Sequence, residues 1–135
     1  MPHVVVGALV DVDRILLGHR SPSRRWYPDV WDLPGGHLEQ GETEVEALIR
    51  ELSEELDVRV LERDVVAVAR LHLGNSGEAD VTLGIWRVRH WQGFITNRAP
   101  DEHDLLGWFT AGDLAGLALA HADYRPLLQK LLTQR

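Results

Sequence analysis

Glutamates crowd one short segment of the chain, with seven of them between Glu39 and Glu55. Three of these, Glu51, Glu54 and Glu55, fall within five positions. Like charges three or four residues apart on a helix repel one another. Clustered carboxylates bind hard cations, and Mg²⁺ typically takes one or two protein carboxylates together with substrate phosphates. The segment therefore predicts an incomplete metal site that a polyphosphate completes, with a solvated helix face as the alternative.

A helix is expected to position these carboxylates. Thr43 is the candidate N-cap, and Glu46 three residues later completes a capping-box pattern. An apolar stripe with helical spacing follows, made of Val45, Leu48, Ile49, Leu52 and Leu56. At about 100° per residue the three clustered carboxylates fall on one flank away from this stripe. Ala47 leaves the turn below them open, and Arg50 lies beside them. We therefore expect all three carboxylates to be exposed.

Strands and two further helices are predicted around this helix. The apolar and β-branched runs predict strands over residues 4–10, 14–19, 65–73, 80–91 and 106–109. Trp31 belongs to a short extended piece and is expected to pack in the core. Asp113 is expected to cap a short helix, and a last helix begins at about Asp123. This order of elements predicts one domain over residues 1–135, a mixed α/β sandwich and not a βαβ repeat.

The composition is that of a globular protein and limits its partners. The chain has 135 residues, 44% hydrophobic and 26% charged, with a formal net charge of −7 and no cysteine. This charge argues against DNA or RNA polymers, which need a basic face, but allows a phosphorylated small molecule bound through a divalent cation. No apolar run reaches the roughly 18 residues that span a membrane, and the first residues lack a signal-peptide pattern. We therefore expect a cytoplasmic protein without a membrane partner.

Gly36, Glu42 and the run from Arg50 to Val58 resemble the Nudix box, G-x5-E-x7-R-E-U-x-E-E-x-G-U, where U is a bulky aliphatic residue. All positions match except one, at which Asp57 replaces the last glycine. The resemblance implies the Nudix fold, an α/β/α sandwich with a mixed sheet, in which the box forms a loop–helix–loop. It also implies hydrolysis of a nucleoside diphosphate linked to another group. Because aspartate tolerates a positive φ, we expect Asp57 to adopt it at a cost of at most ~1 kcal/mol.

The resemblance implies a metal site that binds Mg²⁺ and also accepts Mn²⁺. Glu54 and Glu55 correspond to the core metal ligands, and Gly36 to a ligand through its backbone carbonyl. Glu51 corresponds to a residue that binds the metal directly or through water and helps to activate the nucleophilic water. Arg50 completes the implied catalytic set.

Other charged residues have implied supporting roles. Arg50 and Glu42 resemble an internal ion pair that orients the catalytic carboxylates, or that only supports the fold. Glu39 is either an outer metal ligand or an exposed loop residue. Many members of the family recruit a further acid from a later loop, and Glu102 is the residue predicted for that role, with a solvated loop charge as the alternative.

Aromatic rings and one arginine are the candidates for holding the substrate. Every nucleobase has a π-face on which an aromatic side chain can stack. Trp108 occupies a place where the family often has a base-contacting side chain, and Trp26 lies on a loop able to fold over a ligand. Each has core packing as its alternative. Arg20 is predicted to reach the substrate phosphates.

Features outside the box favour one group of substrates. ADP-ribose enzymes of the family often have a proline at the place that Leu73 occupies here. The short length, residues 33–39 and the Asn97–Pro100 stretch resemble MutT-type nucleoside triphosphate diphosphatases. We therefore expect hydrolysis of a (deoxy)nucleoside triphosphate to the monophosphate and pyrophosphate, by a monomer or a homodimer. The alternatives are a hydrolase of a nucleotide sugar or other diphosphate conjugate and a sensor that binds nucleotides without cleaving them.

Overall fold

The computed structural model describes residues 2–24, 27–74 and 80–133. Within these ranges the chain forms seven strands, three α-helices and one turn of 3-10 helix over Glu62–Asp64. The strands are β1 (His3–Asp11), β2 (Arg14–Arg20), β3 (Trp31–Asp32), β4 (Gly35–His37), β5 (Val65–Leu73), β6 (Val81–Val88) and β7 (His103–Phe109). The helices are α1 (Glu44–Leu56), α2 (Ala111–Leu114) and α3 (Tyr124–Thr133).

The contacts within the chain define two compact units. The first unit contains Met1–Leu9 and Pro34–Arg98, and the second contains Val10–Leu33 and Ala99–Arg135. The expectation of a single domain over residues 1–135 stays a prediction. None of the helices formed by the described residues is long and apolar enough to cross a membrane.

The sheet of the first unit is mixed, as expected. Strand β1 lies between β4 and β6, antiparallel to β4 and parallel to β6, and β5 pairs antiparallel with β6. Helix α1 packs on this sheet, with Leu48 and Leu52 against the backbone of Gly7. Strand β6 ends at Val88, three residues before the predicted end at Trp91.

Both ends of α1 have the predicted caps. The Thr43 hydroxyl accepts the Glu46 N–H at 3.1 Å, and the Glu46 carboxylate accepts the Thr43 N–H at 2.9 Å. Asp57 takes the left-handed conformation, with φ 59° and ψ 36°, and its N–H donates to the Ser53 carbonyl. The predicted capping box and the predicted conformation of Asp57 are confirmed.

The expectation that all three clustered carboxylates are exposed is wrong for Glu51, whose side chain is 16% exposed, and most clearly for Glu55. Its exposed fraction is 2%, and Ala47 on the same helix is fully buried. The N–H groups of Thr96 and Arg98 donate to the carbonyls of Leu56 and Glu55, so the segment around them lies across the end of α1. A helical wheel drawn from the apolar stripe alone leaves out this later segment, and for that reason it underestimates the buried face.

The second unit is built around β2. This strand pairs antiparallel with β3, with β7 and with the last residues of β1, with which it forms a hairpin. Strand β7 begins at His103, three residues earlier than predicted. Trp31 packs edge-to-face against His19 and Phe109, with ring centroids 5.1 and 4.8 Å apart. The N-cap of α2 is Thr110, and Asp113 is its reciprocal capping partner three residues later, so the prediction that Asp113 is the N-cap is wrong.

Candidate functional site

Arg50 is the centre of the charged cluster in the first unit. Its Nε and Nη2 donate to the two carboxylate oxygens of Glu42 at 2.8 and 2.9 Å, the bidentate geometry that makes such pairs strong. Nη2 also donates to the His37 carbonyl at 3.1 Å. Glu42 further accepts the backbone N–H of Glu39 at 2.8 Å. The guanidinium is therefore fixed by groups on the loop before the helix that carries it.

These contacts shift the pKa values of both partners in the directions expected for a stable ion pair. The hydrogen bonds from Arg50, followed by the one from the Glu39 N–H, lower the pKa of Glu42 to about 2. The hydrogen bonds to Glu42 raise the pKa of Arg50 above its ordinary value, and Glu51 adds to the effect. Both groups are charged at neutral pH, so the pair is a permanent part of the site.

Arg50 also holds Glu51. Its Nη1 donates to Glu51 at 2.9 Å and lies 3.4 Å from a carboxylate oxygen of Glu54. A β-carbon added to Gly36 would lie 2.6 Å from the carboxyl carbon of Glu51, so this carboxylate rests against the backbone of Gly36. Only glycine permits that approach. The structure thus brings together four of the residues that the sequence predicts for the site.

The acidic residues at the end of α1 differ in exposure. The Glu54 side chain is 60% exposed and the Glu51 side chain 16%, while Glu55 is buried. An ion held by this set would therefore contact solvent on the Glu54 side and protein on the Glu55 side. Glu39 lies at the edge of the cluster, 3.7 Å from Arg50 Nη1 and mostly exposed.

This set of groups fits a hard divalent cation. The carboxylates of Glu51, Glu54 and Glu55 and the carbonyl of Gly36 supply only oxygen atoms, the ligands that Mg²⁺ and Mn²⁺ prefer. The close approach of Glu51 to the Gly36 backbone puts a carboxylate beside that loop. The roles of these residues as ligands stay predictions.

Glu102 and Arg20 lie in the second unit. Glu102 donates its N–H to the Ala99 carbonyl, and its half-exposed carboxylate is 4.0 Å from Arg24. Arg20 donates through Nε to the Tyr27 carbonyl at 2.9 Å, and its Nη1 is 3.8 Å from Asp32. Burial, followed by the charge of Arg24, lowers the pKa of Arg20. The catalytic role of Glu102 and the phosphate contact of Arg20 stay predictions.

The two candidate base-stacking residues differ in what the structure shows of them. Trp108 lies on β7 opposite Leu16 of β2 and is half-buried. Trp26 lies outside the described residues. Base contact by either ring stays a prediction.

Sequence reasoning missed Glu44, the first residue of α1. This carboxylate is 8% exposed and has hydrogen-bonding partners on three strands, His3, Arg70 and Trp86. Burial would raise its pKa, but the hydrogen bonds outweigh burial and the pKa lies below its ordinary value. The helical wheel places it on the flank of Glu51 and Glu55, outside the apolar stripe, so the helix pattern alone gave no signal for its burial.

Comparisons with known proteins find one matching family and several named relatives. The NUDIX domain family matches residues 1–131. The CTP pyrophosphohydrolase of Escherichia coli is 32% identical over 131 residues, which cover 97% of this chain and 92% of that protein. The putative 8-oxo-dGTP diphosphatase 2 of Mycobacterium tuberculosis is 33% identical over 126 residues, covering 89% and 81%.

A solved structure agrees over nearly the whole chain. The MutT NUDIX hydrolase of Burkholderia pseudomallei superposes with a TM-score of 0.83 at 27% sequence identity, covering 95% of this chain and 96% of that one. The fold class expected from the sequence is confirmed.

Proposed function

The chain belongs to the Nudix family, and we propose that it is a Mg²⁺-dependent enzyme that hydrolyses a (deoxy)nucleoside triphosphate to the monophosphate and pyrophosphate. Family membership and the names of the relatives make it a hydrolase of pyrophosphate bonds. Two of these relatives are named for CTP and for 8-oxo-dGTP, and both names support a nucleoside triphosphate. The observation that carries the proposal is the contact of Arg50 with Glu51, which rests against Gly36.

The proposed reaction divides its tasks among the acidic residues. Glu54 and Glu55 would hold the ion through their carboxylates, and Gly36 would do so through its carbonyl. The chemistry that a bound Mg²⁺ supplies is polarisation of the phosphoryl oxygens and a lower pKa for water. Glu51 accepts the proton of the attacking water as the water oxygen bonds to phosphorus. The bond from the attacked phosphorus to the oxygen that bridges the α- and β-phosphoryl groups breaks at the same time, and its electron pair leaves on that oxygen with the departing product, the nucleoside monophosphate or pyrophosphate.

Arg50 and Glu42 prepare Glu51 for this role. Glu42 fixes the guanidinium through two hydrogen bonds. The third donor, Nη1, is therefore held in a fixed direction for its hydrogen bond to Glu51. Holding a catalytic group in the reactive geometry before the substrate arrives lowers the entropic part of the barrier. The arginine therefore acts on the reaction through the position of Glu51.

Groups outside the cluster are proposed to bind the nucleotide. Arg20 is the proposed phosphate contact and Trp108 and Trp26 are the proposed stacking surfaces for the base, with Glu102 as a further acid. Replacing Trp108 with alanine is then expected to raise KM more than it lowers kcat, because stacking holds the base in the ground state and in the transition state alike.

A panel of nucleotides with Mg²⁺ tests the proposal. It should include the common and the 8-oxo nucleoside triphosphates, several nucleotide sugars and a dinucleoside polyphosphate, with pyrophosphate and orthophosphate measured separately. We expect pyrophosphate and a monophosphate from at least one triphosphate. If only the nucleotide sugars are cleaved, the substrate is a nucleotide sugar and not a nucleoside triphosphate. Tight nucleotide binding without turnover would identify a sensor and overturn the proposal.

A further inference from the structure

We propose that Glu44 is a positioning residue for the metal site, because its carboxylate fixes the rotation of α1 and so aims Glu51 and Glu55. The inference rests on the proposed function, in which those two carboxylates serve the metal. Glu44 itself is outside the proposed set of ligands, and its contacts are with strands of the first unit.

The contacts of Glu44 come from three separate strands. Nε2 of His3 on β1 lies 2.7 Å from Glu44 Oε2, and Nη2 of Arg70 on β5 donates to the same oxygen at 2.6 Å. Nε1 of Trp86 on β6 donates to Oε1 at 2.8 Å. A β-carbon at Gly84 would overlap Oε1, so the carboxylate lies directly on the backbone of β6. One side chain thus ties the first turn of α1 to three strands.

These hydrogen bonds supply an orientation that the apolar stripe does not. Leu48 and Leu52 attach α1 to the sheet, but apolar burial is non-directional and lets a helix rotate by small amounts. Hydrogen bonds to a charged group are short and directional. A buried carboxylate that lost these donors would bear a large desolvation penalty, so the geometry of the first turn is strongly specified.

Because Glu51 and Glu55 are on the same helix as Glu44, the rotation of the first turn sets the direction of their side chains. At about 100° per residue, Glu51 lies about 20° to one side of Glu44 around the helix axis and Glu55 about 20° to the other. All three carboxylates therefore point from one face, and rotation at the first turn moves Glu51 and Glu55 together. Displacements of about 1 Å in a catalytic group can cost roughly 100-fold in rate.

Loss of the carboxylate would leave room for such a rotation. A cleft of about 240 Å³ lies beside the network, lined by Glu44, Arg70, Trp86 and residues 67–69 of β5. The guanidinium of Arg70 has space to move into this cleft once its partner is neutral.

The test compares two glutamates of the same helical turn. Glu44→Gln removes the buried charge, and the matched control Glu46→Gln removes an exposed charge while glutamine keeps the capping box. Mn²⁺ binding to each protein without nucleotide is measured by electron paramagnetic resonance, at a temperature where circular dichroism shows both to be folded. We expect Glu44→Gln to raise the Kd for Mn²⁺ about 10-fold, as loss of a group that orients metal ligands commonly does, and Glu46→Gln to change it less than about twofold.

A second variant keeps the test decisive if Glu44→Gln fails to fold. Trp86→Phe retains an aromatic ring and removes only the indole N–H that donates to Glu44, so we expect a Kd raised about threefold. Affinities of Glu44→Gln and Trp86→Phe equal to that of Glu46→Gln would overturn the inference. Failure of the wild-type protein to bind Mn²⁺ would also overturn the inference. Wild type that binds Mn²⁺ but cleaves no nucleotide would refute the proposed function alone, since the comparison of Kd values still decides the role of Glu44.

Discussion

Two adjacent carboxylates at the end of α1 have opposite surroundings. Glu54 is mostly exposed, and Glu55 is buried beneath the segment that contains Thr96 and Arg98. Burial restricts Glu55 to few rotamers, whereas exposure lets Glu54 adjust to the phosphates of a substrate. Both are proposed to hold the metal whose charge matters most as the phosphoryl group reacts.

Glutamine at either position is expected to act on the transition state. Glu54→Gln and Glu55→Gln keep the size of the side chain and remove its charge, so each should lower kcat by roughly 100-fold or more, about 2.7 kcal/mol. Steady-state kinetics on the best substrate of the panel measure the effect, with melts of the metal-free proteins to show that they fold. Glu46→Gln is the control. Near-wild-type kcat in both variants would mean that these glutamates are only a charged helix surface.

Glu42 is expected to make stability depend on acid. Its folded pKa of about 2 lies below the ordinary value of 4.5, so its contribution is fully present above about pH 4.5. The contribution is lost as the pH falls through about 2, because the unfolded chain takes up the proton first. Urea unfolding between pH 6 and pH 2.5 should therefore show a smaller loss of stability for Glu42→Gln than for wild type. Equal losses of stability in Glu42→Gln and in wild type over this pH range would contradict the bidentate pair with Arg50.

At the scale of elements, α1 has well-defined ends. Its capping box begins the helix at Thr43, and the left-handed Asp57 ends it. The Asp57 carboxylate also forms an exposed ion pair with Arg98 at 3.1 Å. Exposed pairs contribute about 0.2–1 kcal/mol, comparable to the cost of a positive φ at a residue other than glycine.

At position 57, which ends α1, glycine is expected to preserve stability and alanine to lower it. Asp57→Gly relieves the left-handed backbone and loses the pair with Arg98, so stability should be equal or slightly raised. Asp57→Ala loses the pair and keeps the strain, and should be less stable than Asp57→Gly by about 1 kcal/mol. Chemical denaturation of both variants and of Arg98→Ala separates the two effects. A tenfold loss of kcat in Asp57→Gly would reveal a chemical role for this side chain.

What the sequence predicts well is local. The capping box and the conformation of Asp57 depend on residues within one turn, and the strand pattern depends on alternation along a few residues. The burial of Glu55 was not predictable, because a segment some forty residues later covers it. The partners of Glu44 were equally hidden, since His3, Arg70 and Trp86 meet only after the sheet has formed.

At the scale of the molecule, the metal is expected to serve catalysis and not folding. The buried side chains of the first unit are mainly aliphatic, and Arg50 compensates the acidic cluster when no metal is present. Excess EDTA should therefore abolish turnover and leave a cooperative thermal transition. Parallel assays of activity and circular dichroism along an EDTA titration measure both. Turnover that persists in excess EDTA, or unfolding together with loss of activity, would contradict this expectation.

The parallel pairing of β1 with β6 has a consequence for synthesis on the ribosome. It joins His3–Leu9 to Thr82–Val88, two segments separated by most of the chain. Such long-range pairing forms slowly, because the entropy of closing the intervening loop is lost before any contact is made. At about 5–20 residues per second, a nascent β1 waits on the order of seconds for β6. Its apolar residues lack their parallel partner for that interval, which exposes β1 to aggregation during translation.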